Sequence, residues 1–383
     1  MLCYHTAGES HGKALVVIVE GFPAGVAVSS ELIDAELRRR QGGYGRGSRQ
    51  QLEADHAGIL SGLRHNQTLG SPIALLIANR DTRIEQIADF DCPRPGHADL
   101  AGAIKYLAPL RNIAERASAR ETAARVAAGA LAKQLLMAFG IEAFGYVASI
   151  GSITVRSQAG SLSELRAMRD KSEFYTLNPE QDGELRALVE FAKEKGDTLG
   201  GTVVVSVEGV PFGLGSHVEW ERRLNGRLGQ AVLSVPSVKG VEFGLGFAAA
   251  RLFGSEVHDP IAYRAEAADN HHLGFVRATN NAGGLEGGMS NSEAIVLRAA
   301  IKPPPTLARP LPSVNLRTRQ PTAAWSERGD VCAVPAASCI LENVVAWEIA
   351  RALTEKFAGD SLSEMLAAKE SFYRLVQERL SCP

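Results

Sequence analysis

Residues 115–140 read ERASARETAARVAAGALAKQLLMAFG, and they predict the clearest helix of the chain. Alanine and leucine favour helix formation, the charged residues cluster near the start, and Gly140 suits the position that follows a helix end. The next residues, 141–150, have the apolar character of a strand. We therefore predict one helix over residues 115–139 that leads directly into a strand.

Outward from this helix, helical and strand-like segments mix without a regular alternation. Further strands are predicted at 15–20, 72–78, 202–208 and 293–301, and further helices at 30–40, 99–106, 163–170, 184–195, 219–234, 338–357 and 361–380. A doubly wound α/β fold needs repeated strand–helix–strand units, so this order favours an α+β fold instead. We predict a single domain over residues 1–383 with a helical insertion over residues 158–197.

The composition is that of a globular protein with nearly balanced charge. The formal net charge of the 383 residues is −2, whereas a dedicated nucleic-acid-binding protein would carry a basic excess. No apolar run approaches the roughly 18 residues of a membrane span, and the first apolar run is too short for a signal peptide. The five cysteines are widely spaced without a CxxC pair, which argues against a disulfide framework or a zinc site. We therefore expect a cytoplasmic protein without a metal, and neither a membrane nor a nucleic acid as its partner.

Residues 38–49, RRRQGGYGRGSR, form a segment with five arginines and no acidic residue. Arginine binds phosphate and carboxylate groups through bidentate hydrogen bonds, and the glycines let backbone N–H groups approach an anion closely. On these residues alone two interpretations stay open: an anion-binding site in an enzyme, or a basic RNA-binding loop. The second predicts aromatic residues for base stacking, and only Tyr44 is present.

Two histidines lie in glycine-containing loops. His11 belongs to GESHG at 8–12, just before a predicted strand, and His97 belongs to RPGHAD at 94–99, where a loop meets a predicted helix. A lone histidine is more often a structural hydrogen-bonding residue than a catalytic one. Because imidazole titrates near neutral pH and departing phosphate needs a proton, two such histidines beside an arginine-rich loop favour a catalytic role.

The segment TNNAGGLEGGMSN at 279–291 predicts close approach of the backbone to a flat or phosphorylated ligand. It contains no GxxxxGK[ST] sequence, so a Walker-type nucleotide triphosphatase is not supported. The glycines at 43, 45 and 47 follow a predicted helix and not a strand, so the fingerprint of a nicotinamide oxidoreductase is missing as well.

Together these segments resemble the chorismate synthase family. The matching segments occur in the same order along essentially the whole chain: 8–12, 39–46, 94–99, 111–120, 238–244, 279–291, KPPPT at 302–306 and RGD at 328–330. The resemblance implies a β-α-β sandwich-like domain, assembled as a homotetramer. It also implies conversion of 5-enolpyruvylshikimate 3-phosphate to chorismate and phosphate, the last step of the shikimate pathway, with reduced FMN as cofactor.

The resemblance further implies a role for individual residues. His11 would protonate the departing phosphate, His97 would lie near the flavin ring, and Asp330 would act with flavin N5 in removing the C6 hydrogen. Substrate phosphate and carboxylates, or a pyridine nucleotide, would be held by Arg40, Arg46 and Arg49. FMN would be bound by Arg116, Ala117, Ser118, Pro236, Ser237, Gly287, Lys302, Pro303, Pro304, Pro305, Thr306 and Arg328.

Two positions depart from the pattern of the family. Ala117 replaces a serine that is frequent there and removes one hydroxyl group. Pro236 has no N–H group, so an FMN contact there must use a carbonyl oxygen, Ser237 or shape. The chain also has no long extra segment that could be a flavin reductase. The resemblance therefore implies an external reductase, with NADPH involved only indirectly as the source of reduced flavin.

Overall fold

A computed structural model describes residues 1–47, 52–265, 271–327 and 329–380. The α-helices of these residues are α1 (Ser30–Gln41), α2 (Asp99–Tyr106), α3 (Leu110–Ala117), α4 (Thr122–Met137), α5 (Leu162–Lys171), α6 (Asp182–Glu194), α7 (Leu224–Leu233), α8 (Gly254–Val257), α9 (Val334–Lys356) and α10 (Leu362–Leu380). Short 3-10 helices lie at Ala119–Glu121, Pro179–Gln181, Trp220–Arg222 and Gly246–Arg251.

The strands form two larger sheets and several hairpins. They are β1 (Cys3–Ala7), β2 (Ala14–Glu20), β3 (Ala57–Ile59), β4 (Leu63–Arg64), β5 (Gln67–Thr68), β6 (Ile73–Ala78), β7 (Glu142–Ile150), β8 (Ile153–Thr154), β9 (Gly201–Glu208), β10 (Val238–Phe243), β11 (Ile261–Tyr263), β12 (Phe275–Arg277), β13 (Leu285–Glu286), β14 (Met289–Ser290), β15 (Ile295–Ile301), β16 (Pro312–Val314) and β17 (Pro321–Ala323).

Two antiparallel sheets enclose a layer of helices. The first sheet has the strand order β1-β2-β6-β3, and the second has the order β10-β15-β9-β7-β8. Helices α4 and α9 pack against each other between them, with α4 against β2 and α9 against β7 and β9. The predicted α+β class and the sheet–helix–sheet sandwich are thereby confirmed.

The pattern of buried side chains explains why these strands and helices occupy their positions in the sandwich. In β2 the side chains of Leu15, Val17 and Val19 are buried and alternate with more exposed residues, as expected for a strand with one face on a core. Helix α9 is instead buried around nearly its whole circumference from Val334 to Leu353, because it has neighbours on both sides. In the described part of the chain, no helix has both the length and the apolar character that crossing a membrane requires.

The helix predicted at 115–139 is wrong in one respect, because the structure divides it at Ser118. This residue has an extended backbone (φ −66°, ψ 142°), and its hydroxyl accepts a hydrogen bond from the N–H of Arg120 at 3.3 Å. The serine thus caps a 3-10 turn that joins α3 to α4. Residues 158–197, predicted as a helical insertion, contain α5 and α6 between β8 and β9.

The closest approach of α4 and α9 requires a glycine. A Cβ atom at Gly129 would lie 2.5 Å from the Cβ of Asn343 and nearer still to its carbonyl oxygen. We expect Gly129→Ala to lower the free energy of unfolding by about 1–3 kcal/mol, because the two helices must move apart. Gly183→Ala in α6 is the matched control: nothing lies within 4 Å of its added methyl group. This control should gain about 0.5–1 kcal/mol from the better helix former.

Both values can be measured by urea unfolding at one fixed protein concentration. Equal effects of the two alanines would contradict the steric explanation of Gly129.

Candidate active site

Most of the predicted site residues surround one cavity of about 270 Å³ at the end of the helical layer. The predicted residues that line it are His11, Arg40, Arg46, His97, Ser118, Pro236, Ser237, Pro305, Thr306 and Asp330. A wider cavity of about 970 Å³ adjoins it and shares Arg46, Gly47, Thr306, Glu327, Gly329 and Asp330 with it. Loops from distant parts of the sequence therefore meet at a single site.

His11 is held by the carboxylate of Glu115, which comes from the last turn of α3. The ring Nδ1 lies 2.9 Å from Glu115 Oε1, and the backbone N–H of His11 donates to Oε2 at 2.8 Å. Burial raises the pKa of Glu115, but the hydrogen bonds from His11 outweigh it, so the pKa lies below its ordinary value. The other ring nitrogen, Nε2, lies 3.8 Å from Asp81 Oδ2. The charged form of the imidazole thus has a carboxylate on each side.

His97 is held in the same way by Asp99, the first residue of α2. The ring Nδ1 lies 2.5 Å from Asp99 Oδ1, and Arg94 donates to both oxygens of the same carboxylate at 2.8 and 3.0 Å. Asp99 is fully buried, which raises its pKa, but the bonds from His97 and Arg94 hold that pKa well below its usual range. Residues 94–97 of the predicted loop, together with Asp99, therefore fix the orientation of the His97 imidazole.

The inner end of the cavity carries a cluster of buried arginines and acids. Arg40 is 2% exposed and donates to Thr122 Oγ1 at 3.0 Å, while Arg120 donates to both oxygens of Asp55 at 2.6 and 2.8 Å. Arg40 also faces Asp55 at 3.5 Å, and Glu53 lies 3.8 Å from Arg120, so two guanidinium groups face two carboxylates. Burial lowers the pKa of Arg40 to about 10, against the opposing effect of Asp55. Arg40 stays charged at neutral pH and can bind an anionic group.

Arg46 and Asp330 form an ion pair where the two cavities meet. Arg46 Nη1 lies 2.7 Å from Asp330 Oδ2, and the N–H of Gly47 donates to Asp330 Oδ1 at 2.7 Å. The Nε of Arg46 is buried and has no hydrogen-bond partner among the described residues. The segment around Arg46 is thus held against Asp330. Arg49 and Arg328, two further predicted site residues, lie outside the described residues.

The arginine segment does not form the basic surface that the RNA-binding interpretation requires. Arg39 is buried against Glu342, Arg40 lines the inner cavity, and Arg46 pairs with Asp330. Arg38 alone among the described arginines of this segment is exposed. The segment therefore directs its charge inward, and the RNA-binding interpretation is not supported.

The KPPPT segment packs against the loop that holds His97. Lys302 Nζ donates to the carbonyl of Gly96 at 2.8 Å, and Arg94 Nη1 donates to Thr306 Oγ1 at 3.4 Å. Burial lowers the pKa of Lys302, with a smaller contribution from Lys239. Prolines fix this backbone, so the segment presents Pro305 and Thr306 to the cavity at a fixed place.

Several residues predicted to bind FMN do not line the cavity. These are Arg116, Ala117, Gly287, Lys302, Pro303 and Pro304. Arg116 is exposed, and its guanidinium donates to the carbonyls of Gly8 at 2.8 Å and Thr6 at 3.1 Å. Gly287 is exposed on the turn between β13 and β14, with a φ of 59°. Their contact with a cofactor stays a prediction.

The lining nevertheless fits a flat ring that carries a phosphate. Its apolar lining residues are Val235, Ile301, Ala333 and, from α9, Ala336, Ala337 and Ile340. Its polar lining residues include the two imidazoles and the arginines. An aromatic ring system packs well on apolar side chains, and anionic groups bind well to arginines.

The residues that hold the site together were not predicted from the sequence. Glu115, Asp99, Asp55 and Asn79 contact the predicted site residues or the arginines beside them. Glu115 lies 104 residues from His11 in the chain, so no local spacing indicates the pair. Asp99 could have been found, because it lies two residues from His97 at a helix start.

Comparisons with known proteins match this chain to a single family over nearly its whole length. A family model described as chorismate synthase matches residues 2–354. The chorismate synthase of Moorella thermoacetica is 53% identical, covering 99% of this chain and 100% of the relative; that of Geobacter sulfurreducens is 50% identical, covering 98% and 100%. A crystal structure of chorismate synthase superposes with a TM-score of 0.81 at 42% identity, covering 98% of each chain. The cavity geometry and these matches together establish that the chain belongs to the chorismate synthase family, the lyases that form chorismate for aromatic amino acid biosynthesis.

Proposed function

We propose that the cavity eliminates phosphate and the C6 hydrogen from 5-enolpyruvylshikimate 3-phosphate, with His11 as the acid that protonates the departing phosphate. The observation that carries this proposal is the pair of imidazoles that face one arginine-lined cavity, each held at Nδ1 by a buried carboxylate. Such a carboxylate fixes the ring orientation and leaves Nε2 as the nitrogen that exchanges a proton.

The substrate has one phosphate and two carboxylates, and the arginines supply its binding. Arg40 and Arg46 are the described arginines proposed for these anions, and Arg49 is proposed with them. A charge-assisted hydrogen bond contributes about 1.5–3 kcal/mol, so a few such contacts suffice for specific binding of a small molecule with three anionic groups. The place of both side chains in the cavity lining supports this assignment.

Loss of the phosphate requires a proton at the bridging oxygen while the carbon–oxygen bond breaks. His11 Nε2 gives up that proton. The imidazole keeps its Nδ1 proton, which stays in the hydrogen bond to Glu115. Asp330 is proposed to act on the side of the C6 hydrogen. That carboxylate is paired with Arg46 in this structure, so an anionic substrate group that binds Arg46 would release Asp330 for this task.

Reduced FMN is proposed as the cofactor, held by Ser118, Pro236, Ser237, Pro305 and Thr306 along the cavity and by the other residues that the family resemblance implies. When bound, it would supply the electron density that helps to expel phosphate from a position with no neighbouring carbonyl group. His97 would lie beside the ring and set its protonation. An external flavin reductase that uses NADPH, a homotetrameric assembly and a cytoplasmic location complete the proposal.

The test is the release of inorganic phosphate from 5-enolpyruvylshikimate 3-phosphate under strictly anaerobic conditions. We expect release with chemically reduced FMN and none with oxidised FMN or without flavin. Release that does not depend on reduced flavin, or no release at all, would reject the proposal. RNA binding measured in the same preparation tests the alternative that the buried arginines do not support.

A further inference from the structure

The carboxylate of Glu115 contacts His11 at two separate N–H groups. Oε2 accepts the backbone N–H at 2.8 Å, and Oε1 faces the ring Nδ1 at 2.9 Å. Glu115 is only 5% exposed, and its backbone carbonyl also accepts the N–H of Ser10 at 2.9 Å. One residue of α3 therefore fixes both the main chain and the ring of His11.

This arrangement determines which nitrogen carries which proton. A buried carboxylate accepts hydrogen bonds only, so the ring nitrogen facing it must carry a hydrogen. The remaining nitrogen, Nε2, is then the one that gains and loses a proton. The mixture of two neutral tautomers that a free imidazole would form is avoided.

The charged groups around the ring favour the form that can donate. Glu115 lies at Nδ1, and Asp81 lies 3.8 Å from Nε2 while it is paired with the exposed Arg83 at 2.8 Å. Arg111, from the same helix as Glu115, is the cation that acts on this carboxylate, and it is itself paired with Glu327 at 2.7 Å. Two carboxylates therefore face the ring directly, and Arg83 and Arg111 are each paired with an acid, while Arg116 donates to the backbone carbonyls of Gly8 and Thr6.

The second imidazole of the cavity repeats the arrangement independently. His97 Nδ1 faces Asp99 at 2.5 Å, and Asp99 is fully buried and fixed by Arg94. Two histidines from unrelated loops thus share one design, in which a buried carboxylate holds Nδ1 and leaves Nε2 free of that carboxylate. Such a repetition favours a chemical requirement over an accident of packing.

We infer that Glu115 is a positioning residue for catalysis: it holds His11 as the Nδ1–H tautomer and stabilises its charged form, so that Nε2 can protonate the departing phosphate. The inference rests on the proposed function of His11. In the step itself the Nε2–H bond breaks, a phosphate O–H bond forms, and the electron pair of the broken carbon–oxygen bond goes to the phosphate oxygen. Glu115 keeps its negative charge throughout and takes up no proton.

The experiment compares Glu115→Gln with the wild-type enzyme at saturating reduced FMN. We expect kcat for phosphate release to fall by about 10²-fold with little change in KM, because the glutamine amide no longer fixes the tautomer or balances the charge. The pH profile of kcat should also change, because a neutral amide replaces the carboxylate beside the ring. Unchanged kcat and an unchanged pH profile would overturn the inference.

Glu348→Gln is the matched control. Glu348 is also 5% exposed and paired with an arginine, Arg227 at 2.6 Å, but lies outside the active-site cavity. It should lower the melting temperature about as much as Glu115→Gln and leave kcat and the pH profile unchanged. If both variants lose activity in proportion to the decrease in their melting temperature, Glu115 has a structural role only and the inference is wrong.

A spectroscopic measurement of the His11 ring, which does not require turnover, distinguishes this inference from the proposed function. The ¹⁵N chemical shifts of the His11 ring should indicate the Nδ1–H tautomer in the wild-type protein and a mixture of tautomers in Glu115→Gln. If the wild-type protein gives this result but releases no phosphate, the proposed function fails while the assignment of the hydrogen bond stands. A mixture in the wild-type protein would overturn the inference itself.

Discussion

A His11→Ala variant is expected to release phosphate about 10²- to 10⁴-fold more slowly than the wild-type protein, because the departing phosphate loses its proton donor. The alanine keeps the backbone N–H that donates to Glu115 at 2.8 Å, so the loop should keep its position. The residues proposed to bind the anions and the flavin are unchanged. The loss should therefore appear in kcat and not in the binding of reduced FMN or substrate.

The measurement is anaerobic single-turnover phosphate release, combined with titration of reduced FMN by its fluorescence and absorbance. His5→Ala is the control, since this histidine is exposed on β1 and does not line the cavity. It should turn over at the wild-type rate. A His11→Ala variant with wild-type turnover would exclude His11 as the acid, and one that fails to bind flavin would assign His11 to the cofactor instead.

The sequence allowed the fold class to be predicted because its periodic segments are long and distinct. The strands at β2 and β15 alternate buried and less buried side chains, and the helix at α9 is rich in apolar residues. The helix predicted at 115–139 failed at Ser118 because the competing signal is tertiary: the serine hydroxyl also accepts a hydrogen bond from Ser10 Oγ at 3.0 Å. Helix propensity alone does not contain that partner.

Only the chemically conspicuous residues of the candidate site could be predicted from the sequence. The two histidines and the arginine-rich segment could be singled out, because their occurrence together in glycine-containing loops favours function over a structural role. The carboxylates that position them lie in ordinary helical or loop surroundings, and Asp55, shared by Arg40 and Arg120, has no local pattern that points to it. Their role exists only once the sheets and helices bring distant loops together.

The second large effect is expected in stability and concerns Glu342 in the middle of α9. Its carboxylate is 1% exposed and accepts hydrogen bonds from Arg39 at 2.8 Å, Lys133 at 2.5 Å and Arg169 at 3.2 Å. The N–H of Gly145 in β7 donates to it at 2.8 Å. This one side chain thus joins α1, α4, α5 and the second sheet.

Replacing Glu342 with glutamine removes one charge and leaves Arg39, Lys133 and Arg169 with only Glu36 and Asp170 as carboxylate partners among the described residues. Breaking a buried ion pair in this way costs about 3–5 kcal/mol of unfolding free energy, so we expect a loss of that size at pH 7. Glu173→Gln is the control, because its pair with Arg186 is about half exposed and should be worth less than about 1 kcal/mol. Urea unfolding at one protein concentration measures both.

The pH dependence of this loss has a definite sign. Burial raises the pKa of Glu342, but Arg39 and Lys133 outweigh it and the pKa lies below its ordinary value. A carboxylate whose pKa is lower in the folded than in the unfolded state stabilises the fold above the unfolded value, about 4.3, and that stabilisation disappears as the pH falls. The difference between wild type and Glu342→Gln should therefore be full at pH 7 and shrink below about pH 4. If the difference in unfolding free energy between the two proteins stays constant over this pH range, the shape of Glu342 and not its charge stabilises the contacts of α9 with its neighbours. Those contacts hold Arg39 of α1, and the next residue, Arg40, extends into the active site.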